Sequence, residues 1–193
     1  MKQNELVWRT LVDTSLDGQR QWGSIADLAY AAGVPWATAR FACQKLFEIG
    51  ALTSYSGGGL STVNPEKVLT IACAARNLTV DTVGWTTRDA LEGLDVVWGG
   101  PMAAVHHLGG DNTVAHYSAG IAYLAGSHPP LPEGNEVRVL QMDARAKRRW
   151  EGYSSRAQTY VDLFATPGWA ASEFRLALRE RYFSGRDWDQ AED

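Results

Sequence analysis

Cysteine is nearly absent from this chain. Its 193 residues hold two, Cys43 and Cys73. Two are too few for a disulfide framework, and no metal-binding cysteine spacing exists. Both lie in apolar helical surroundings, which reads as small core residues in a reducing cytosol. Long hydrophobic runs are missing too: no stretch approaches the roughly 18 apolar residues of a membrane span. The opening Met1-Lys-Gln-Asn-Glu-Leu-Val-Trp8 lacks the charged-then-apolar build of a signal peptide. A cytoplasmic protein with no membrane association is the expectation. A basic excess is also lacking. Lys plus Arg is 18 against 22 Asp plus Glu, a formal net charge of −4. Taken whole, that argues against a dedicated nucleic-acid binder. What is present is ordinary for a globular protein, with 45% hydrophobic and 21% charged residues, so wholesale disorder is excluded.

The first third reads as a succession of short helices. Leu6, Trp8 or Arg9, and Val12 fall at helical spacing within residues 5–15. After a Gly18–Gly23 loop, Ser24 is an N-cap candidate with Asp27 three residues on. Ile25, Leu28 and Ala29 give one apolar face, and Gly33 ends that helix. Pro35 suits the first turn of the next one, because its missing N–H would be unpaired there anyway. This helix runs to about Ile49 with Ala39, Ala42, Cys43 and Leu46 on one face, and Gly50 stops it. The period then changes. Ala51–Tyr55 and Leu60–Val63 are strand-like runs around Gly57-Gly58-Gly59, a hairpin with a flexible tip. Asn64-Pro65-Glu66 opens another helix, carrying Val68, Leu69, Ala72 and Cys73 on one side.

Two helices joined by a glycine turn and followed by a hairpin make a winged helix-turn-helix. In such a fold the second of the pair enters the major groove. If Ala39, Ala42, Cys43 and Leu46 face the core, the opposite face holds Trp36, Thr38, Arg40, Phe41, Gln44 and Lys45. Arg40 suits a guanine edge, Gln44 an adenine, Thr38 a thymine or a phosphate, and Lys45 a phosphate. At the hairpin tip, Ser56 and Gly58 can approach a phosphate through their backbone. Each assignment has a plainer counterpart. Arg40 and Lys45 also fit a solvated helix face, and Trp36 fits a packing role over the helix N-terminus. Phe41 is too apolar for an ordinary groove face and suits packing on the first helix or on a partner chain.

The charge is divided unevenly. Residues 1–77 hold seven basic and six acidic side chains, a net +1, and the remainder stands at −5. Phosphate neutralisation supplies most nonspecific DNA affinity. A domain at +1 should therefore bind weakly alone, and a homodimer on paired half-sites would compensate.

The second part is read as a mixed α/β domain over residues 78–183, followed by a polar tail, 184–193. Strands are expected at 82–87, 94–98, 118–125 and 136–142, with a short helix from Arg88 to Leu91. Gly99-Gly100-Pro101 opens an apolar helix, Met102–Leu108. His128–Pro132 reads as a loop. Ser154 or Ser155 caps a helix through Phe164, and Gly168 precedes a last helix with Phe174, Leu178 and Tyr182. The fold class is thus α+β, a winged helix-turn-helix (1–77) followed by a mixed α/β domain. Gln158 and Asp162 stand at i, i+4, where a side-chain hydrogen bond forms.

Two strings carry a resemblance: Gly99-Gly-Pro-Met-Ala-Ala-Val-His-His-Leu-Gly109 and Tyr153-Ser-Ser-Arg-Ala-Gln-Thr-Tyr-Val-Asp-Leu-Phe164. With the preceding winged-helix pattern, the chain over about residues 5–183 resembles the AbiEi-type antitoxin and transcriptional-regulator family of type IV toxin–antitoxin systems. The resemblance implies a repressor that binds double-stranded DNA at its own promoter. It also implies a second domain that counters a cognate toxin resembling nucleotidyltransferases. The alternative is a stand-alone winged-helix regulator whose α/β domain senses a ligand or dimerises.

Catalytic chemistry finds little support. His106, His107, His116 and His128 show no fixed metal-ligand spacing. Asp111 with Glu136-Val137-Arg138 imitates a nuclease site, but Arg cannot replace the neutralisable lysine. Gly57–Gly59 lacks the Lys-Ser/Thr end of a phosphate loop. No enzyme, cofactor or metal is expected. The densest basic cluster is Arg145, Lys147, Arg148 and Arg149 beside Trp150, which reads as solvated surface, as a second DNA contact or as a dock for an acidic partner.

Overall fold

The computed structural model describes residues 2–110, 114, 120–126, 130–143 and 150–184. Among them the protein is a mixed α+β structure with eight α-helices and two sheets, one of three strands and one of four. The chain forms two compact units. Of the described residues, one comprises 2–75 and 182–184, the other those of 76–181.

In the first unit the elements are α1 (Gln3–Leu16), β1 (Gln21–Trp22), α2 (Ile25–Ala32), α3 (Trp36–Glu48), β2 (Leu52–Tyr55), β3 (Gly59–Thr62) and α4 (Pro65–Ala75). α1 buries Leu6, Val7, Leu11 and Val12. Arg9 is buried, while Trp8 is partly covered and donates its indole N–H to the Ala42 carbonyl at 3.1 Å. α2 begins as its sequence dictates. The Ser24 hydroxyl accepts the Asp27 N–H at 3.1 Å, satisfying an otherwise unpaired helix-start donor. It ends at Gly33, whose φ of +77° only glycine adopts without strain. α3 then buries the expected quartet of Ala39, Ala42, Cys43 and Leu46. Pro35 stands one place earlier than expected, as the N-cap rather than within the first turn. α4 starts with the Asn64 side chain accepting the Lys67 N–H at 3.0 Å and buries Val68, Leu69, Ala72 and Cys73.

The antiparallel sheet has the order β1-β3-β2. β1 lies inside the segment expected as a loop. Its two residues hold as a strand only because Gln21 and Trp22 pair with Ser61 and Leu60, a nonlocal cause. The Tyr55 hydroxyl donates to the Trp22 carbonyl at 2.8 Å, tying the hairpin to β1.

The second unit contains α5 (Leu78–Asp81), β4 (Thr82–Thr86), a 3₁₀ turn (Asp89–Leu91), β5 (Val96–Gly99), α6 (Gly100–His107), β6 (Gly120–Leu124), β7 (Val137–Gln141), α7 (Arg156–Ala165) and α8 (Trp169–Tyr182, whose last residue falls in the first unit). α5 has no counterpart in the sequence reading; it is a single turn, too short for periodicity to register. The sheet order is β4-β7-β6-β5, with β6 and β7 parallel and the other pairs antiparallel. All five residues of β6 are buried, which explains its continuous apolar run rather than an alternation. Ile121 and Tyr123 enter one core with Val97, Leu140, Met142 and Trp150; Ala122 and Leu124 enter another with Leu91, Val137 and Val139.

β5 turns directly into α6 over Ile121 and Tyr123. A Cβ on Gly99 would stand 2.9 Å from the Tyr123 ring, and Gly100 combines a φ of +54° with Ile121 at 3.0 Å from the same imagined atom. That crowding explains the paired glycines, and it starts the helix at Gly100, two residues before the expected start. On the opposite side of the sheet, Gly134 lies against β4. A Cβ there would come within 2.5 Å of the Thr86 carbonyl carbon, a rigid backbone atom. Gly134→Ala should therefore destabilise the protein by about 1–3 kcal/mol through overpacking. The check is the urea unfolding midpoint, with Gly57→Ala, which meets no neighbour in the same sense but has a φ of +97°, as a strain-only comparison.

Candidate nucleic-acid interface

α3 and the β2–β3 hairpin carry the residues that the sequence nominates. Packing of the small residues Ala39, Ala42 and Cys43 into the first unit fixes which side of α3 faces out. Trp36, Arg40, Gln44 and Lys45 are exposed, and Thr38 is half-buried. The Arg40 guanidinium lies 5.5 Å from the centre of the Trp36 ring, a cation–π arrangement one helical turn apart. Trp36 is 52% exposed, so it shields little of the helix start and instead supports Arg40. The Thr38 hydroxyl donates to the Gln3 side-chain oxygen at 3.2 Å. Lys45 meets Glu48 at 3.2 Å, both well exposed, an ion pair worth little in water. Ser56 and Gly58 are exposed at the hairpin tip, where Gly57 and Gly58 both have positive φ.

Of the two packing roles expected for Phe41, the one on the first helix is not met, while Cys43 is the core residue expected. Phe41 is 67% exposed on α3 rather than packed on α1. Cys43 is buried, and burial pushes its thiol pKa up to about 11, so it is inert at neutral pH. Arg145, Lys147, Arg148 and Arg149 lie outside the described residues, as do Asp111, His116 and His128.

The second unit contains a polar cluster that the sequence reading did not assemble. Arg76, Asp81, Tyr123, Gln158 and Asp162 come from three stretches of the chain, around 76–81, in β6 and in α7, and are all buried. Arg76 Nε donates to Asp162 Oδ1 at 2.9 Å, and Arg76 Nη1 donates to Asp81 Oδ2. Asp162 Oδ1 also accepts from Gln158 Nε2 at 2.9 Å, the expected i, i+4 bond, and Asp162 Oδ2 accepts from the Tyr123 hydroxyl. Gln158 Nε2 reaches the Tyr123 oxygen at 3.1 Å. Burial alone would lower the Arg76 pKa; Asp162, Tyr123 and Asp81 outweigh it and hold the guanidinium above its ordinary value. The visible signal for this cluster was an Asp and a Gln on the apolar side of α7. Its partners lie up to 86 residues away, beyond any periodicity.

α6 carries two histidines with different roles. His107 Nε2 is 2.7 Å from the Ser154 carbonyl, and burial lowers its pKa. His106 stacks on Tyr153 at 4.1 Å with the rings nearly parallel, beside an open groove of about 450 Å³. A second groove of about 540 Å³ runs along Val83, Trp85, Leu131 and Gly134 at the β4 edge. Among the described residues no group of His, Cys, Asp and Glu side chains is gathered to hold a metal, and no helix is long and apolar enough to cross a membrane.

Two outcomes follow from these environments. Arg76→Met strands two buried carboxylates and should cost about 3–5 kcal/mol, read by denaturant unfolding. Replacing Arg76, Asp81 and Asp162 together by apolar residues should cost less than the single change. His107, neutral in the fold with a pKa below its unfolded value, binds protons more readily once unfolded. Stability is therefore full above the ordinary histidine pKa and falls as pH drops through it towards the lowered folded value. A His107→Gln variant should show a flatter melting temperature across that window than the parent.

No family model, curated protein or solved structure matches the chain.

Proposed function

We propose that α1 to α4 with the β2–β3 hairpin form a winged helix-turn-helix in which α3 reads double-stranded DNA. On this reading the protein is a cytoplasmic transcriptional repressor of its own promoter and has no enzymatic activity. By its resemblance to AbiEi-type antitoxins, its second unit would counter a cognate nucleotidyltransferase-like toxin. The observation that carries the DNA reading is the division of α3. One side is wholly committed to packing by Ala39, Ala42, Cys43 and Leu46, while Arg40, Gln44 and Lys45 remain in solvent. The order helix, helix, tight Gly33 turn, helix, hairpin supports it. Binding as a homodimer on paired half-sites would offset the weak charge of residues 1–77.

The groove beside β4 favours a second reading of the other unit. Its volume of about 540 Å³ falls in the range of small-molecule sites, and its walls include Val83, Trp85 and Leu131. A regulator whose α/β unit senses a ligand or dimerises would use that surface.

Footprinting on the chain's own promoter tests the leading reading. The parent should protect a defined site. Arg40→Ala should lose about 1–3 kcal/mol of affinity and relax the sequence preference at one base pair. Lys45→Ala should weaken all duplexes alike and flatten the dependence of log affinity on log salt by about 0.9. Absent protection, or protection that Arg40→Ala leaves unchanged, overturns the assignment.

A further inference from the structure

We propose that Phe41, with Ala37 one turn before it, reads the 5-methyl group of thymine in the major groove. This deepens the proposed use of α3 and rests on it. At 100° per residue, Ala37, Phe41 and Gln44 fall along the line opposite the buried Ala39, Ala42, Cys43 and Leu46. The N-terminal part of that line is therefore an apolar patch, with Ala37 exposed and Phe41 67% exposed, and Gln44 continues it. The cations do not lie on that line. Arg40 flanks it on one side and Lys45 on the other, and both are exposed.

That cross-section fits one partner chemistry. A helix with its side chains is about 10–12 Å across and the major groove about 12 Å wide. The floor of the groove presents base edges and thymine methyls, and its two rims present phosphates. An apolar patch between two cations complements the thymine methyls of the floor between two anionic walls. Gln44, next on the line, adds an amide for an adenine edge, which carries a thymine opposite it. Glu48 falls in the same sector at the C-terminal end of α3, where Lys45 pairs with it. Its carboxylate repels phosphate, so the first three turns of α3, those holding Ala37, Phe41 and Gln44, are the part that enters.

The test uses the full chain and synthetic duplexes. A randomised duplex pool first yields the preferred site. Each thymine in it is then replaced in turn by deoxyuridine, which removes the methyl and leaves the pairing edges intact. One buried methyl-sized group corresponds to about 0.8 kcal/mol, or roughly fourfold in affinity. The parent should lose about fourfold at one or two positions. Phe41→Ala, an exposed change that leaves the circular dichroism spectrum unaltered, should bind the thymine and deoxyuridine duplexes equally there. Equal sensitivity in parent and variant, or no methyl effect at any position, overturns the inference while leaving DNA binding intact. If the variant keeps the thymine response but shows a lower mass by light scattering, Phe41 is covered by a second copy and the inference is overturned. If the pool yields no enriched sequence, DNA reading itself fails, and the methyl contact with it.

Discussion

The Arg76 guanidinium is the constraint on which the second unit depends. It sits in the interior with two carboxylates, a phenol and an amide around it. A buried charge of this kind costs far more than a hydrophobic residue unless its donors are matched. Matching them requires α5, β6 and α7 to stand in one arrangement, because Asp81, Tyr123 and Asp162 belong to those three elements. The cluster therefore ties those three elements to one another. Tyr123 shows how fully it is built into the fold. Its ring fills the core against Trp150 at 5.2 Å, and its hydroxyl completes Asp162. The same ring forbids a side chain at position 99. Gly99 before α6 and both Gln158 and Asp162 of α7 thus answer to a single tyrosine.

This places the two distinctive strings of the second half in physical terms. Gly99-Gly100 permits a strand to become a helix across a crowded core. In the other string, Ser155 caps α7, Thr159 bonds to Ser154, and Gln158 and Asp162 join the cluster. Each of these polar side chains is occupied by the fold, so whatever surface the second unit offers to a partner is made of other residues. Exposed candidates lie beside the grooves and on α8, where Trp169 and Leu176 are 66% and 56% exposed. Those beside the grooves include Trp85 under Arg138 at the β4 edge, and His106 stacked on Tyr153.

Local chemistry was legible in the sequence where neighbours along the chain determine it. Ser24 with Asp27, Gly33, and Asn64 with Pro65 marked helix boundaries that the structure keeps, since caps and turns are short-range events. The buried quartet of α3 was equally legible from its period. Elements stabilised from a distance were not. β1 is two residues long and exists through its pairing with β3, and α5 is one turn. Arg76 and Asp81 carry no local signal, because nothing nearby in sequence reveals the carboxylate of Asp162, 86 residues from Arg76. Phe41 was legible as an anomaly without an explanation. Only the position of the buried quartet turns it outward and makes its exposure a question about partners.

The charge arithmetic takes on a different meaning once α3 is seen in section. With a net +1 over residues 1–77 and an uncharged hairpin tip, few phosphates can be neutralised. On the proposed DNA reading, such a face gains little from the long-range field of DNA, so its discrimination must come from contacts made at close range. Those contacts need groups held in place before binding, since ordering a mobile side chain costs entropy. Arg40 is steadied by the Trp36 ring, and Phe41 has only two rotatable side-chain bonds to fix. Short reach and stiffness are what a weakly charged binding face requires, and both are properties of the exposed side of α3.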